Sequence, residues 1–379
     1  MPSRLLRVAG PAILVFAAVV TLIAGLAYGG GAARQLQIDP GPVVRWGLPV
    51  ATLAVNLSAA ALIGALVLAL FALRAQTRPF DTALDVASVA AAVFTVASAS
   101  VAFLTVLNVL GATPSAGAEF GQQLGRFLVD TEPGRAWALT TIAGAVLTVL
   151  TFAVRGWTPT LLVTALAVAS LIPMATQGHS GEEAGHNAAV VALTLHIIGA
   201  AVWLGGLLLL VVLRPTLGRD ELADVIGRYS SIALAAFVVV ALSGIARAVV
   251  GVVEVKYLLS PYGAILAVKV AALLVIGFLG ALYRKFLIAR LRGEETERRF
   301  WGLIALELAF MGIASGAAVA LSRTPPPVDT SLPVVRTPAE FLTGSPLPPE
   351  LTPLRWITSW DIDILWAFTV GFGAFFYLV

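Results

Sequence analysis

The chain of 379 residues contains no cysteine, only three histidines and three methionines, and few charged residues. Without cysteine it can build no disulfide framework, no thiolate metal site and no cysteine nucleophile. Any bound metal must therefore be held by nitrogen, oxygen or thioether ligands. Charged residues make up 12% of the chain, against about a quarter in an average soluble domain, whereas 59% of its residues are hydrophobic. This composition indicates an integral membrane protein.

Several signatures of catalysis and nucleotide binding are also missing. The sequence has no GxxxxGK[ST] loop, no GxGxxG fingerprint, no HExxH zinc-protease helix and no GxSxG nucleophile elbow. We therefore expect neither an enzyme nor transport driven by ATP within this chain. A haem held by two histidines on facing helices is excluded, because the apolar segments carry only one histidine. The net charge of +3 is spread between apolar segments, so membrane topology explains it better than nucleic-acid binding does.

Apolar runs of about twenty residues, long enough to cross a bilayer, recur along the chain. We predict an all-α, polytopic transmembrane helical bundle with about nine complete spans and a truncated tenth. The predicted spans are 10–28, 46–73, 86–111, 136–154, 158–176, 188–213, 229–252, 262–283, 300–322 and a last one that starts near 362. An alternative for the first span is a signal peptide, since Arg4 and Arg7 precede its apolar core. Gly312 and Gly316 form a GxxxG pattern, which predicts that another helix approaches the ninth span closely.

Loop charges predict the orientation in the membrane. Most of the 24 Lys and Arg residues fall on loops that face the cytoplasm if the N-terminus is cytoplasmic. The loop between spans five and six then faces the periplasm or the exterior of a bacterium, across its plasma (inner) membrane. The segment 284–299 mixes charges, which predicts a solvated extension of the inner helices. The segment 328–360 is rich in proline and predicts a linker on the outer side.

All three histidines lie in one stretch, PMATQGHSGEEAGHNAAVVALTLHIIGAAVWLGG. His179 and His186 flank a short outer loop. That loop carries Glu182 and Glu183, which would concentrate cations at its mouth. His196 lies inside the apolar helix that follows, and because a histidine is costly in hydrocarbon it is a candidate functional residue. The three histidines can form successive binding sites that lead from the outer loop into the membrane.

Two internal methionines are placed where they can extend this path. Met174 lies at the outer end of span five, shortly before His179, and Met311 lies midway through span nine. Imidazole suits copper, nickel and zinc, whereas thioether sulfur selects Cu(I) among them. Histidine and methionine without cysteine therefore predict a copper ion, Cu(I) or Cu(II). The alternatives are structural, because loop histidines are commonly solvated, His196 can simply bond a neighbouring helix, and buried methionines commonly pack.

Charged residues inside the later spans add a second signal. Arg247 and Lys269 lie in the outer halves of spans seven and eight, and Glu307 lies in span nine. Such residues normally pair with one another or line a wet cavity. They form either a structural pair, Lys269–Glu307 or Arg247–Glu307, or part of a transport route. Trp203, two turns after His196, is predicted to pack over the histidine site.

Four strings together carry a family resemblance: GHS…GHN…LHIIGAAVWLGGL, SGIARAVVGV, YGAILAVKVAALL and LELAFMGIASGAAVALSRTPPP. They resemble the CopD copper resistance family, including the YcnJ type of copper uptake protein, over about residues 45–327. The resemblance implies a membrane protein that moves copper into the cytoplasm, beside a periplasmic or extracellular copper carrier. The residues that it singles out are His179, His186, His196, Trp203, Lys269 and Glu307.

The final segment, ITSWDIDILWAFTVGFGAFFYLV, is similar to the first span of a CtaG-type cytochrome c oxidase assembly domain. The predicted regions are a first helix with its outer loop (1–44), the copper domain (45–327), the linker (328–360) and a truncated assembly domain (361–379). We expect a copper permease. The rival hypothesis is an assembly factor that delivers copper to cytochrome c oxidase subunits without transmembrane flux. A haem or quinone redox protein is a third hypothesis, and it needs axial ligands beyond those in this chain.

Overall fold

The computed structural model describes residues 3–35, 38–111, 114–175, 186–251, 258–286 and 294–325, together with 338 and 352–353. The chain divides into two units, Met1–Pro325 and Pro326–Val379, and nearly all described residues belong to the first. Across the described part of the chain the secondary structure is helical without strands, and nine helical segments are long and apolar enough to cross a membrane. The predicted all-α, multi-pass membrane fold is therefore confirmed. The predicted tenth span lies outside the described residues.

The helices follow the predicted spans closely. They are α1 (Ser3–Gly29), α2 (Pro42–Phe71), α3 (Arg78–Leu110), α4 (Ala118–Asp130), α5 (Glu132–Ala153), α6 (Trp157–Ala169), α7 (Ile172–Ala175), α8 (His186–Leu213), α9 (Arg219–Gly251), α10 (Pro261–Phe286) and α11 (Glu294–Arg323). The short α6 and α7 together make one span. The helix breaks between them because Pro173 has no N–H to donate to the carbonyl of Ala169 and its ring crowds that carbonyl.

The sequence predicts a loop between the third and fourth spans, but the structure has the short helix α4 there. Its apolar side chains Phe120, Leu124, Phe127 and Leu128 recur at helical spacing, so they share one face. Phe127 is buried, and the Phe120 ring meets the Phe103 ring of α3 edge to face at 6.2 Å between centroids. The amphipathic α4 therefore folds back onto α3 and α5 instead of crossing the membrane.

The bundle is built around α2, whose most apolar window is 72% buried. This helix packs against α3 on one side and α8 on the other. The packing continues from α3 to α5 and from α8 to α9, while α1, α11 and α10 pack in that order. The helix that carries His196, α8, therefore lies between the central helix and α9.

Glycines set two close helix contacts. A Cβ added to Gly64 of α2 would collide with the backbone of Gly205 in α8, so these two helices meet backbone to backbone. Gly312 and Gly316 of α11 make the same kind of contact with the backbone of Leu14 and Ala18 in α1. The close approach predicted from the GxxxG pattern is thereby confirmed, with α1 as the partner helix.

Candidate functional site

His196 lies at the contact between α8 and α9. Gly199, one turn further along α8, packs so closely on α9 that an added Cβ would lie 3.1 Å from side-chain atoms of Val239 and Val240. The imidazole ring rests beside Gly244, with Cε1 3.4 Å from the place that a Cβ of Gly244 would occupy. Small residues on both helices thus make room for a histidine inside an otherwise apolar contact.

The hydrogen bonds of His196 define which ring nitrogen carries the proton. Nδ1 lies 3.1 Å from the carbonyl oxygen of Val240 and 3.2 Å from the hydroxyl oxygen of Ser243. A carbonyl oxygen only accepts, so Nδ1 is the nitrogen that donates. In the neutral ring Nε2 then keeps its lone pair. Metal-binding histidines commonly donate their other N–H to a carbonyl in this way, and the arrangement therefore fits a metal ligand.

Lys269 of α10 lies close enough to His196 for its charge to act on the ring. Counted along the helices, His196 lies roughly 15 Å from the start of α8 and Lys269 roughly 12 Å from the start of α10. Those starts are on the same side of the bundle, because consecutive spans alternate in direction. The two side chains therefore share one level, and a cation bound at His196 would meet a like charge there.

A layer of aromatic side chains lies two turns from His196, toward the Leu213 end of α8. Trp203 is buried there, and its ring meets that of Phe237 in α9 edge to face, with centroids 5.4 Å apart. Phe237 in turn fills the space above Gly277 of α10, since an added Cβ on this glycine would lie 2.8 Å from the ring. Side chains of α8 and α9, packed against the glycine surface of α10, thus close the space along this direction.

The deeper candidates lie on α11. Glu307 is 0% exposed and Met311 is 5% exposed, and their spacing of one turn puts them on one face of the helix. Ile265 of α10 and Thr324 of α11 share a level, because both lie against Gly29 of α1. Counted along the two helices from that level, Glu307 lies roughly 20 Å further into the bundle than Lys269 does. A direct Lys269–Glu307 pair would have to bridge that difference in level, and both predicted pairs of Glu307 stay predictions.

The remaining predicted residues fall at the edge of the described chain or beyond it. Met174 lies in α7 and is partly buried against the core. His186 is the first residue of α8, and Arg247 lies near the end of α9, but their side chains are outside the described part. His179 and the two loop glutamates, Glu182 and Glu183, also lie outside it. Within the described ranges no group of three His, Asp or Glu side chains is close enough to hold a metal ion.

Ser243 contacts His196, Phe237 contacts Trp203 and Gly277 lies against Phe237, and none of these contacts was predicted. Each is an ordinary residue for a membrane helix, and none is costly in hydrocarbon in the way that His196 is. These contacts depend on which helices are neighbours in the bundle, and the order of the spans along the chain does not determine the neighbours. Only the packing of α8, α9 and α10 brings these residues together.

Comparison with known protein families gives two matches. Residues 39–190 match the family model described as copper resistance protein D-like, N-terminal domain, and residues 223–321 match the model described as copper resistance protein D. Together the two ranges cover more than half of the chain. His196 and Trp203 fall in the interval between them. Neither a search of curated proteins nor a search of solved structures returns a match.

Proposed function

The chain belongs to the copper resistance protein D family, and from this premise we propose that it is a copper permease that carries copper into the cytoplasm through His196. Family and fold together make it a multi-pass copper resistance membrane protein with copper as its substrate. Permeation, its direction and the residues of the route are the proposed part.

One observation carries the proposal: a histidine inside a membrane span whose Nδ1 bonds the Val240 carbonyl and whose Nε2 thereby keeps a lone pair. A copper ligand needs an unprotonated ring nitrogen, because only that nitrogen can coordinate the ion, and this tautomer provides it at Nε2. The depth of His196 also favours transport over capture at the surface, since a surface site would not need a polar side chain in hydrocarbon.

The proposed route starts at the outer loop, where His179 and His186 would capture copper beside the acidic Glu182 and Glu183. A periplasmic or extracellular carrier would supply the ion. Copper would then pass to His196, a single imidazole from which it can leave readily. Conduction requires sites that bind well enough to admit the ion and weakly enough to release it. The nearby charge of Lys269 acts in this direction by shortening the residence of a cation.

The inward half of the route must pass the aromatic layer. Phe237 has to turn away from Trp203 and Gly277 before an ion can move from His196 toward the Leu213 end of α8. Beyond this layer the thioether of Met311 and the carboxylate of Glu307 would offer the next ligands before release. Scarce free copper in the cytoplasm would drive net entry, so that no ATP is needed within this chain.

The test is uptake of copper by right-side-out membrane vesicles that contain the full chain. His196→Ala should lower the initial rate by at least ten-fold, because even the loss of a residue behind a metal ligand costs about 10–100-fold in affinity. Thr194→Ala is the matched control, since Thr194 lies on the same helix and its hydroxyl only bonds Val190 O at 2.8 Å. Unchanged uptake in the His196 variant, with normal amounts of folded protein, would refute the route.

The same vesicles separate transport from delivery at the outer face. An assembly factor without flux would show no copper accumulation in the lumen at all, whatever residue stands at position 196. That hypothesis rests on the final segment of the chain, which lies outside the described residues.

A further inference from the structure

We infer that Ser243 of α9 is a positioning residue that holds His196 in the one tautomer able to bind copper. The inference rests on the proposed function of His196. It adds a residue to the site that the sequence does not single out, and it assigns that residue a defined task.

The task follows from the direction of each hydrogen bond. The Ser243 hydroxyl has one proton, which it donates within its own helix to the carbonyl of Val239. Its oxygen is then left as an acceptor toward the imidazole 3.2 Å away. The Val240 carbonyl at 3.1 Å is an acceptor as well. Two acceptors therefore face Nδ1, and both favour the tautomer that has its proton on this nitrogen.

The Val240 carbonyl does not serve the imidazole alone. As part of an α-helix it is also the acceptor for the backbone N–H four residues later, that of Gly244. Ser243 supplies the additional acceptor, and it does so from a position that is 0% exposed, where water cannot replace it. Without this hydroxyl the proton has less reason to stay on Nδ1, and a fraction of the rings would carry it on Nε2 instead. In that fraction copper binding is blocked.

The histidine content of the chain makes this testable by nitrogen NMR. Full-length protein labelled with ¹⁵N-histidine and carrying His179→Ala and His186→Ala retains one labelled ring, that of His196. Protonated and unprotonated ring nitrogens differ widely in chemical shift, so the tautomer is read directly. We expect Nδ1–H with unprotonated Nε2 in this background. Addition of Ser243→Ala should give a mixture of both tautomers, and Ser243→Thr should restore the starting state because threonine keeps the hydroxyl.

Ser88→Ala is the matched control. Ser88 is also 0% exposed and also bonds a carbonyl four residues earlier in its helix, that of Leu84 at 2.8 Å. It lies in α3, away from the α8–α9 contact. Its replacement removes a buried helix-bonding hydroxyl without touching the imidazole, so the His196 tautomer should not change.

The second readout is Cu(I) affinity in the same proteins. Copper selects the competent tautomer, so Ser243→Ala should lower the Cu(I) affinity by the inverse of that tautomer's fraction, which is about two-fold for an even mixture. A wild-type ring with its proton on Nε2 would overturn the inference, whether or not any variant folds. An unchanged tautomer in Ser243→Ala would overturn it too, even if affinity fell, because the serine would then act on folding alone. Failure of the proposed function would give a different result. Copper affinity would then be the same with and without His196→Ala, while Ser243→Ala would still change the tautomer of the His196 ring.

Discussion

Helix α8 makes two contacts of opposite character. Toward α2 it meets another backbone directly, because Gly64 and Gly205 leave no side chain between the helices. Toward the α9–α10 side it faces a contact filled by side chains, in which Trp203 meets Phe237 and Phe237 lies over Gly277. A backbone contact has one arrangement, whereas a side chain can change rotamer. The fold is therefore fixed on one side of α8, and the freedom that the proposed transport would require lies on the other side, where His196 is.

The largest effect is expected from Gly205→Ala, which adds one methyl group to the fixed side. Its Cβ would overlap the carbonyl oxygen of Ala60, and a helix backbone cannot yield without separating α2 from α8. We expect a loss of about 3 kcal/mol or more in unfolding free energy, at the upper end for overpacking. Titration with denaturant in detergent micelles measures it.

Gly302→Ala is the control for that variant, because an added Cβ at Gly302 of α11 meets no atom of the described residues within 4 Å. It should be neutral or stabilising by roughly 0.5–1 kcal/mol, since alanine favours the helix over glycine. Equal behaviour of the two variants would mean that the α2–α8 contact is not as tight as described.

An intermediate effect is expected from Phe237→Ala, and the quantity that it should change is the initial rate of copper uptake. The edge-to-face ring pair contributes about 1 kcal/mol, and its loss would lower the barrier to opening by the same amount. A barrier lower by 1 kcal/mol corresponds to roughly five-fold faster passage. The initial rate of copper uptake in vesicles should therefore rise in this variant. A fall in the rate, at equal amounts of protein, would mean that Phe237 supports the route instead of closing it.

The smallest effect is expected from Gly277→Ala, the same methyl addition on the mobile side. The added Cβ meets the ring of Phe237, which can move, instead of a backbone. We expect a loss of about 1 kcal/mol, well below that of Gly205→Ala. The ratio of the two losses, measured in one detergent, tests the comparison directly. If Gly277→Ala were as damaging as Gly205→Ala, the two sides of α8 would be equally rigid.

Most of the fold could be predicted from the sequence, because each span is a continuous apolar run and its length is set by the bilayer. The close packing of α11 was predictable as well, since Gly312 and Gly316 mark a helix surface that admits a backbone. The helix α4 was missed because it is amphipathic and short, so a search for long apolar runs passes over it. Its Phe120 to Leu128 face is the signal that would have found it.

The site could be predicted only in part. His196 stands out because its side chain is costly in hydrocarbon, and this cost is visible in one helix alone. The contact of Ser243 with His196 and the contact of Trp203 with Phe237 arise from pairs of helices. A serine or phenylalanine in a membrane span carries no comparable cost. The capture histidine His179 and its loop stay predictions.

The pairing of α1 with α11 has a consequence for how the protein is made. The first span leaves the ribosome with the face that receives Gly312 and Gly316 still uncovered, and its partner is the last helix of the compact unit to be synthesised. At bacterial and eukaryotic elongation rates this interval lasts on the order of tens of seconds. During biogenesis α1 must therefore wait in lipid, or be held by the insertion machinery, until α11 arrives to complete the bundle.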